Sequence, residues 1–343
     1  MKKVLLLLCI FLFAVVVMES VSILNRGVFF TKKEPQPKPL LAYTFENLKK
    51  TSFPATQILL GPVTGETADS FSQIFYFTVP KTPNSKIMLK ASGLMNIPKK
   101  AGQYPIIVMF RGFIPDKDYT PGAGTQPSAT VFAKEGFITL APDFLGYGES
   151  ATPSGDPFEN RFQTYTTALS MLASVKTLNS ALETKYVSTI SGNLDKIGIW
   201  GHSNGGHIAL TALEISGLTY PTVLWAPVSI SFPYSILYYT DESDDQGKAL
   251  RKLLAGFENT YNTDQFSLTN YLNWIKAPIQ INQGTADQEA PVWWSDNLVD
   301  TLKKDNVQVE YFTYPGADHN LLPSGWSDAV LNSINFYNKQ FSK

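Results

Sequence analysis

At 343 residues, with 44% hydrophobic and 17% charged side chains, the chain is long enough for a full core and too apolar to be disordered over most of its length. Its 28 basic and 29 acidic residues give a net charge of -1, which argues against a surface built to neutralise a nucleic-acid backbone. One cysteine, Cys9, leaves no intramolecular disulfide and no thiolate cluster, and the histidines are only three, His202, His207 and His319, so neither a metal nor a cofactor is expected.

Lys2 and Lys3 precede an apolar run from Val4 to Met18, which resumes after Glu19 at Val21 to Leu24. A basic start followed by such a run reads as a membrane-targeting segment over residues 1–30. It is either a signal anchor or a signal peptide cleaved near Ser20-Val21-Ser22. Basic residues stay on the cytoplasmic side, so the rest of the chain is expected outside, held at the membrane or secreted. Residues 31–45, which include TKKEPQPKP, read as a proline-rich linker. The folded domain is then expected over residues 46–343.

Phe71 to Val79 and Lys86 to Ala91 alternate in polarity and carry aromatics, as strands do. From Tyr104 the pattern becomes strand and helix in turn. Pro105 to Phe110 and Phe137 to Ala141 are continuous apolar runs, the mark of strands buried on both faces. Arg161 to Thr184 has helical spacing, with Leu169, Leu172, Val175 and Leu178 on one side. Asp195 to Trp200 predicts a strand and Asn204 to Ser216 a helix. Thr222 to Ala226, Pro278 to Asn282 and Val307 to Tyr314 predict further strands, with helices at Val292 to Lys304 and Asp328 to Phe341. This alternation implies an α/β domain with a largely parallel sheet covered by helices. Residues 229–274 break it. They are too long for a crossover, rich in aromatics, and expected to be a cap insertion, helical around Lys248 to Phe257.

Gly201-His202-Ser203-Asn204-Gly205 matches G-x-S-x-G directly after one predicted strand and directly before a predicted helix. Small neighbours let strand and helix approach closely while the serine sits on a strained turn, as a nucleophile requires. On such a sheet the partners follow in the order serine, acid, histidine, each after a strand. His202 and His207 belong to the elbow and its helix, so His319, after the last strand, is the candidate general base. Asp287 follows the preceding strand in Gly284-Thr285-Ala286-Asp287 and is the candidate orienting acid, with Glu289 as the alternative. The oxyanion is expected between the backbone N–H of Asn204, at the helix start, and that of Phe113, in the turn after Phe110.

The motifs GHSNGG (201–206), APDFLGYGES (141–150), INQGTADQEAP (281–291) and YPGADHN (314–320) together resemble the α/β-hydrolase superfamily. Within it, they resemble the catalytic domain of the prolyl oligopeptidase family and related dienelactone-hydrolase-like esterases, over about residues 85 to 341. The resemblance implies an α/β-hydrolase fold with Ser203 as nucleophile, His319 as base and Asp287 as its orienter. Two positions depart from the family pattern: Arg111 stands where members often have histidine, and Leu145 where they often have arginine. The stretch ahead of the hydrolase core is also too short for the β-propeller of the oligopeptidases.

Three functions are open at this level. A serine esterase would place small or medium acyl esters against Phe232, Tyr234, Tyr238, Tyr239, Trp274, Trp293 and Trp294. A peptidase acting on short peptides would need a handle for the substrate amine, and Glu242, Asp244 and Asp245 are available. A non-catalytic surface binding domain is the third, against which the ordered triad argues.

Overall fold

Nine strands form a single sheet among the described residues, which are 37–187, 189–240 and 244–343 of the computed structural model. In chain order they are β1 (Leu59–Glu66), β2 (Ser70–Pro80), β3 (Met88–Pro98), β4 (Gly102–Phe110), β5 (Ile138–Pro142), β6 (Ile190–His202), β7 (Thr222–Trp225), β8 (Ile279–Gly284) and β9 (Val309–Tyr314). Their order across the sheet is β1-β2-β3-β5-β4-β6-β7-β8-β9. The first three are antiparallel, β3 pairs antiparallel with β5, and all pairs from β5 to β9 are parallel. Every residue of β5, β7 and β8 is buried, as expected of strands with helices on both faces.

Among the described residues, seven of the helices fall between the parallel strands, one precedes the sheet and one follows its last strand. The helices are α1 (Phe45–Lys50), α2 (Gln126–Lys134), α3 (Pro157–Ser174), α4 (Leu178–Tyr186), α5 (Asn204–Ser216), α6 (Tyr234–Leu237), α7 (Lys248–Glu258), α8 (Val292–Lys304) and α9 (Trp326–Phe341). The helix expected over Arg161 to Thr184 begins earlier, where the Asp156 side chain accepts from the N–H groups of Phe158 and Glu159. A short 3-10 turn, Val175–Thr177, then separates α3 from α4. The apolar stripe itself is as read: Leu169, Leu172, Val175 and Leu178 are all buried. Strand β1 escapes a sequence reading because LLGPVTGE carries two glycines and a proline. An edge strand tolerates a proline that a central one would not.

Leu40–Lys343 packs as one unit, so the body starts ahead of the boundary expected at residue 46. Leu40, Tyr43 and Phe45 are in the core, and the Phe45 ring stacks on Tyr271 at 4.9 Å. The stretch expected as linker over 31–45 is therefore structural from Leu40 onward. The targeting segment expected over 1–30 lies outside the described residues. Among the described residues no helix is long and apolar enough to cross a membrane.

Among its described residues the insertion at 229–274 contains α6, α7 and the 3-10 turns Thr263–Phe266, Leu268–Asn270 and Leu272–Trp274. It is bound to the body by rings: Phe162 of α3 stacks on Phe266 at 4.9 Å, and Phe158 meets Phe257 at 4.7 Å.

Candidate active site

The carboxyl ends of β4, β6, β8 and β9 bring the predicted residues to one edge of the sheet. Ser203 follows β6 with φ 56° and ψ -123°, a conformation that a non-glycine residue holds only when its surroundings enforce it. Here they do. Its N–H donates to Trp225 O at 3.0 Å, and its own carbonyl accepts from Val228 at 3.0 Å and Gly206 at 2.9 Å. The turn also requires Gly205: a Cβ there would lie 1.9 Å from the carbonyl oxygen of Phe110. Strand β4 and helix α5 thus touch backbone to backbone beneath the serine.

Asp287 and His319 meet directly. Nδ1 of His319 is 2.9 Å from Oδ2 and 3.1 Å from Oδ1 of Asp287. The carboxylate is further fixed by the N–H groups of Glu289 at 2.9 Å and Ala290 at 2.8 Å, and by Gln283 Nε2 at 2.9 Å. Gln283 is itself oriented by Ser295, whose hydroxyl donates to Gln283 Oε1 at 2.7 Å. With Nδ1–H given to the carboxylate, Nε2 of His319 is the acceptor nitrogen. Gln283 went unread in the sequence. Its one signal is a large polar residue ending a buried strand four places before an acid.

The loop that carries His319 is shaped by Asp318, whose Oδ1 accepts from the N–H groups of Asn320 at 2.8 Å and Leu322 at 2.9 Å. His202 reaches across from the elbow: its Nε2–H donates to the main-chain carbonyl of His319 at 2.9 Å, and the two rings lie 4.8 Å apart. Burial, then the charge of His319, lowers the His202 pKa to about 4. His207 is buried under the turn between Tyr165 at 3.0 Å and the Val228 carbonyl at 3.1 Å. Burial and then Arg161 lower its pKa to about 3.

The alternative acid, Glu289, approaches the other ring nitrogen of His319. Its Oε2 lies 3.6 Å from Nε2 of His319, on the opposite side of the ring from Asp287, and its side chain is exposed. Ser203 Oγ makes no hydrogen bond to another described group, and such contacts commonly tighten only with substrate in place. Gly112 lies against the serine, close enough that an added Cβ would be 3.0 Å from Ser203 Cβ. Among the described residues, neither the N–H of Asn204 nor that of Phe113 donates to another group, so both remain open to a ligand.

The sequence profile of the prolyl oligopeptidase family matches residues 125–343, which include Ser203, Asp287 and His319. The chain belongs to the prolyl oligopeptidase family. It is a serine hydrolase of that family, a peptidase or an esterase. It is 28% identical over 242 residues to the uncharacterized peptidase YtmA of Bacillus subtilis (strain 168), which covers 68% of this chain and 83% of that protein. Among solved structures it resembles acetyl xylan esterase 1 from Thermoanaerobacterium sp. JW/SL YS485, with TM-score 0.56 and 16% identity over 90% of this chain and 95% of that one. It also resembles Porphyromonas gingivalis dipeptidyl peptidase 4, with TM-score 0.55 and 14% identity. That match covers 79% of this chain but only 36% of the peptidase. At these identities the shared property is the α/β-hydrolase fold.

In this prolyl oligopeptidase family hydrolase the cap aromatics divide by role. Tyr234, Tyr238, Trp293 and Trp294 line a cavity of about 670 Å³ between the insertion and α8. Phe232 instead packs against Phe162 at 5.7 Å, and Trp274 against Tyr271 at 4.6 Å. None of Ser203, Asp287 and His319 lines the cavity. It adjoins the acid loop through Tyr238, whose hydroxyl donates to Gln288 O at 3.2 Å, while Tyr239 donates to Glu289 O at 3.0 Å. Of the acids considered as amine handles, Asp245 caps α7 by accepting from Gly247 and Ala249. Glu242 lies outside the described residues.

Proposed function

We propose that the chain is an esterase that cleaves acyl esters through Ser203, His319 and Asp287. The observation that carries this reading is the His319–Asp287 couple at 2.9 Å, whose loop is tied through the His319 carbonyl to His202, the residue before a serine held in the strained elbow conformation. Nε2 of His319 takes the proton from Ser203 Oγ as the oxygen attacks the ester carbonyl. The carbonyl oxygen becomes the oxyanion, stabilised by the N–H groups of Asn204 and Phe113. Collapse expels the alcohol, which receives the proton from Nε2. Water, deprotonated by the same nitrogen, then releases the acid from the acyl-serine. The mostly apolar cavity beside the acid loop suits the acyl or alcohol portion of the substrate.

A second reading, a peptidase acting on short peptides, is favoured by Glu289. An exposed carboxylate 3.6 Å from the base is placed to hold a substrate amine. Full-length protein in detergent, assayed against aryl esters and against aminoacyl and peptidyl amides, separates the two. Faster turnover of amides than of matched esters rejects the esterase reading.

We also infer that the hydrolase works outside the cytoplasm, held at the membrane by its first 30 residues. Lys2, Lys3 and the apolar run after them support this. Recovery from the cytosol alone rejects it, and a released form beginning near Ile23 rejects only the anchor.

A further inference from the structure

Arg111 is one of two residues at which the chain departs from the pattern of the family it resembles, and it is buried rather than turned out to solvent. Its guanidinium spans two loops. Nη1–H donates to the carbonyl of Gly112 at 2.9 Å, and Nη2–H donates to the carbonyl of Asp143 at 3.2 Å. The group lies 4.1 Å from the ring centre of Tyr147 and 4.6 Å from that of Tyr119. Asp143, fully buried, supplies the opposite charge nearby. Its carboxylate is fixed by the hydroxyls of Tyr119 at 2.5 Å and Ser92 at 2.6 Å. Tyr147 completes the frame, donating its hydroxyl to Ile114 O at 3.1 Å.

The carbonyl that Arg111 holds belongs to the same peptide unit as the N–H of Phe113. That unit is trans: among the described residues the cis bonds lie elsewhere, at Phe232-Pro233 and Leu322-Pro323. In a planar trans peptide the C=O and N–H point in opposite directions. Fixing the Gly112 oxygen on the Arg111 side therefore aims the Phe113 N–H away from it. Gly112 sits against Ser203, so the orientation of this one peptide plane decides whether the N–H meets the oxyanion. A cation on the carbonyl oxygen also polarises the peptide and makes its N–H a stronger donor.

We propose that Arg111 is the positioning residue of the oxyanion turn, setting the direction and strength of the Phe113 N–H through the Gly112 carbonyl. This rests on the assignment of Phe113 as an oxyanion donor. Arg111 itself touches no substrate. It acts only as charge develops on the carbonyl oxygen, so its loss falls on the chemical step and leaves ground-state binding nearly untouched.

The test is a pair of substitutions, Arg111→Lys and Arg111→Met, in the full-length protein, with folding checked by thermal melting. Steady-state kinetics on an aryl ester are read beside inhibition by a trifluoromethyl ketone, which forms a charged tetrahedral adduct on the serine. Lysine keeps the charge but cannot bridge both carbonyls, so kcat should fall about 10-fold. Methionine keeps only the stem, and the loss should approach about 100-fold, the range seen when one oxyanion donor is removed. KM should stay within about threefold, and affinity for the ketone should weaken in parallel with kcat/KM. If the methionine variant does not fold, the lysine variant decides alone. A folded lysine variant with wild-type kcat, or a loss carried by KM with ketone affinity unmoved, overturns the proposal. Failure of the Ser203 mechanism shows separately, as a wild-type protein that a fluorophosphonate does not label at Ser203.

Discussion

His202 and His319 are joined through the main chain: the imidazole of the residue before the nucleophile donates to the carbonyl of the residue proposed as base, at 2.9 Å. The bond couples the elbow after β6 to the loop after β9, two strands that are not neighbours in the sheet. It makes His202 more than a filler of the turn. In His202→Ala the carbonyl of His319 loses its donor and the ring its packing partner. We expect kcat to fall about 10-fold or more, with a stability loss of about 1 to 2 kcal/mol, measured by ester hydrolysis and thermal melting. Wild-type kcat in a folded variant rejects this coupling.

The triad substitutions carry the mechanism. Ser203→Ala and His319→Ala should each lower kcat by about 10⁴ to 10⁶, and the double variant should be little worse than either. Asp287→Asn should lower it by about 10⁴, because His319 loses the acceptor that sets its tautomer. Glu289→Gln, which leaves the Asp287–His319 bond intact, should lower it less than about tenfold on a neutral ester. Equal losses at Asp287 and Glu289 would show that the orienting acid is misassigned.

Gln283 provides a graded control on the same couple. Its amide donates to Asp287 Oδ2 at 2.9 Å, and its Oε1 accepts from Ser295. Gln283→Leu leaves the carboxylate with two backbone donors and the imidazole. The expected loss is about tenfold in kcat, between those of Glu289→Gln and Asp287→Asn, with KM unchanged.

The pH dependence separates activity from stability. His202 and His207 titrate at about 4 and about 3, both lowered first by burial, so neither changes charge between pH 5.5 and 8. An acid limb of kcat/KM in that window therefore belongs to neither ring and should survive in His207→Gln. Stability behaves differently. The unfolded chain protonates both rings near 6.5, whereas the folded chain keeps them neutral to about 4 and about 3. Between those values the unfolded state binds more protons, so stability falls as pH drops below 6.5, by up to about 1.4 kcal/mol per pH unit for each ring. Urea unfolding from pH 7 to 4 should show this slope, and a flat profile would rule it out.

Glu214 acts in the opposite sense. It lies wholly buried in α5 with neither carboxyl oxygen bonded, and burial holds its pKa well above the ordinary 4.5. The folded chain keeps a proton that the unfolded chain releases above pH 4.5. Its contribution is thus complete below that pH and declines as pH rises, by up to about 1.4 kcal/mol per unit. Glu214→Gln removes the titration at constant shape. It should match the wild type near pH 4 and exceed it at pH 8. An equal difference at both pH values would show that Glu214 is ionised in the fold.

The sequence by itself determined the parallel sheet, the elbow at Ser203 and the placing of Asp287 and His319 after successive strands. These are local matters: a continuous apolar run, a glycine-flanked serine between strand and helix, an acid or histidine just past a strand end. Boundaries set by local chemistry were also legible, and the predicted Asn204 to Ser216 and Val292 to Lys304 helices form over those spans. Only the tertiary structure decided the rest, because it depends on which loops face one another. Asp287 and Glu289 are two residues apart and both acidic. One is buried with three other donors and the other is exposed, since a hydrogen-bonded turn directs them to opposite sides of the imidazole. Likewise the sequence shows Arg111 only as a departure from the family pattern beside the oxyanion turn. The fold instead brings Asp143, Tyr119 and Tyr147 from distant segments to enclose it, and a buried guanidinium survives only where opposite charge and carbonyl acceptors converge. Sequence spacing records neither convergence, because the partners come from different loops and meet only when β4, β5, β8 and β9 close into one sheet.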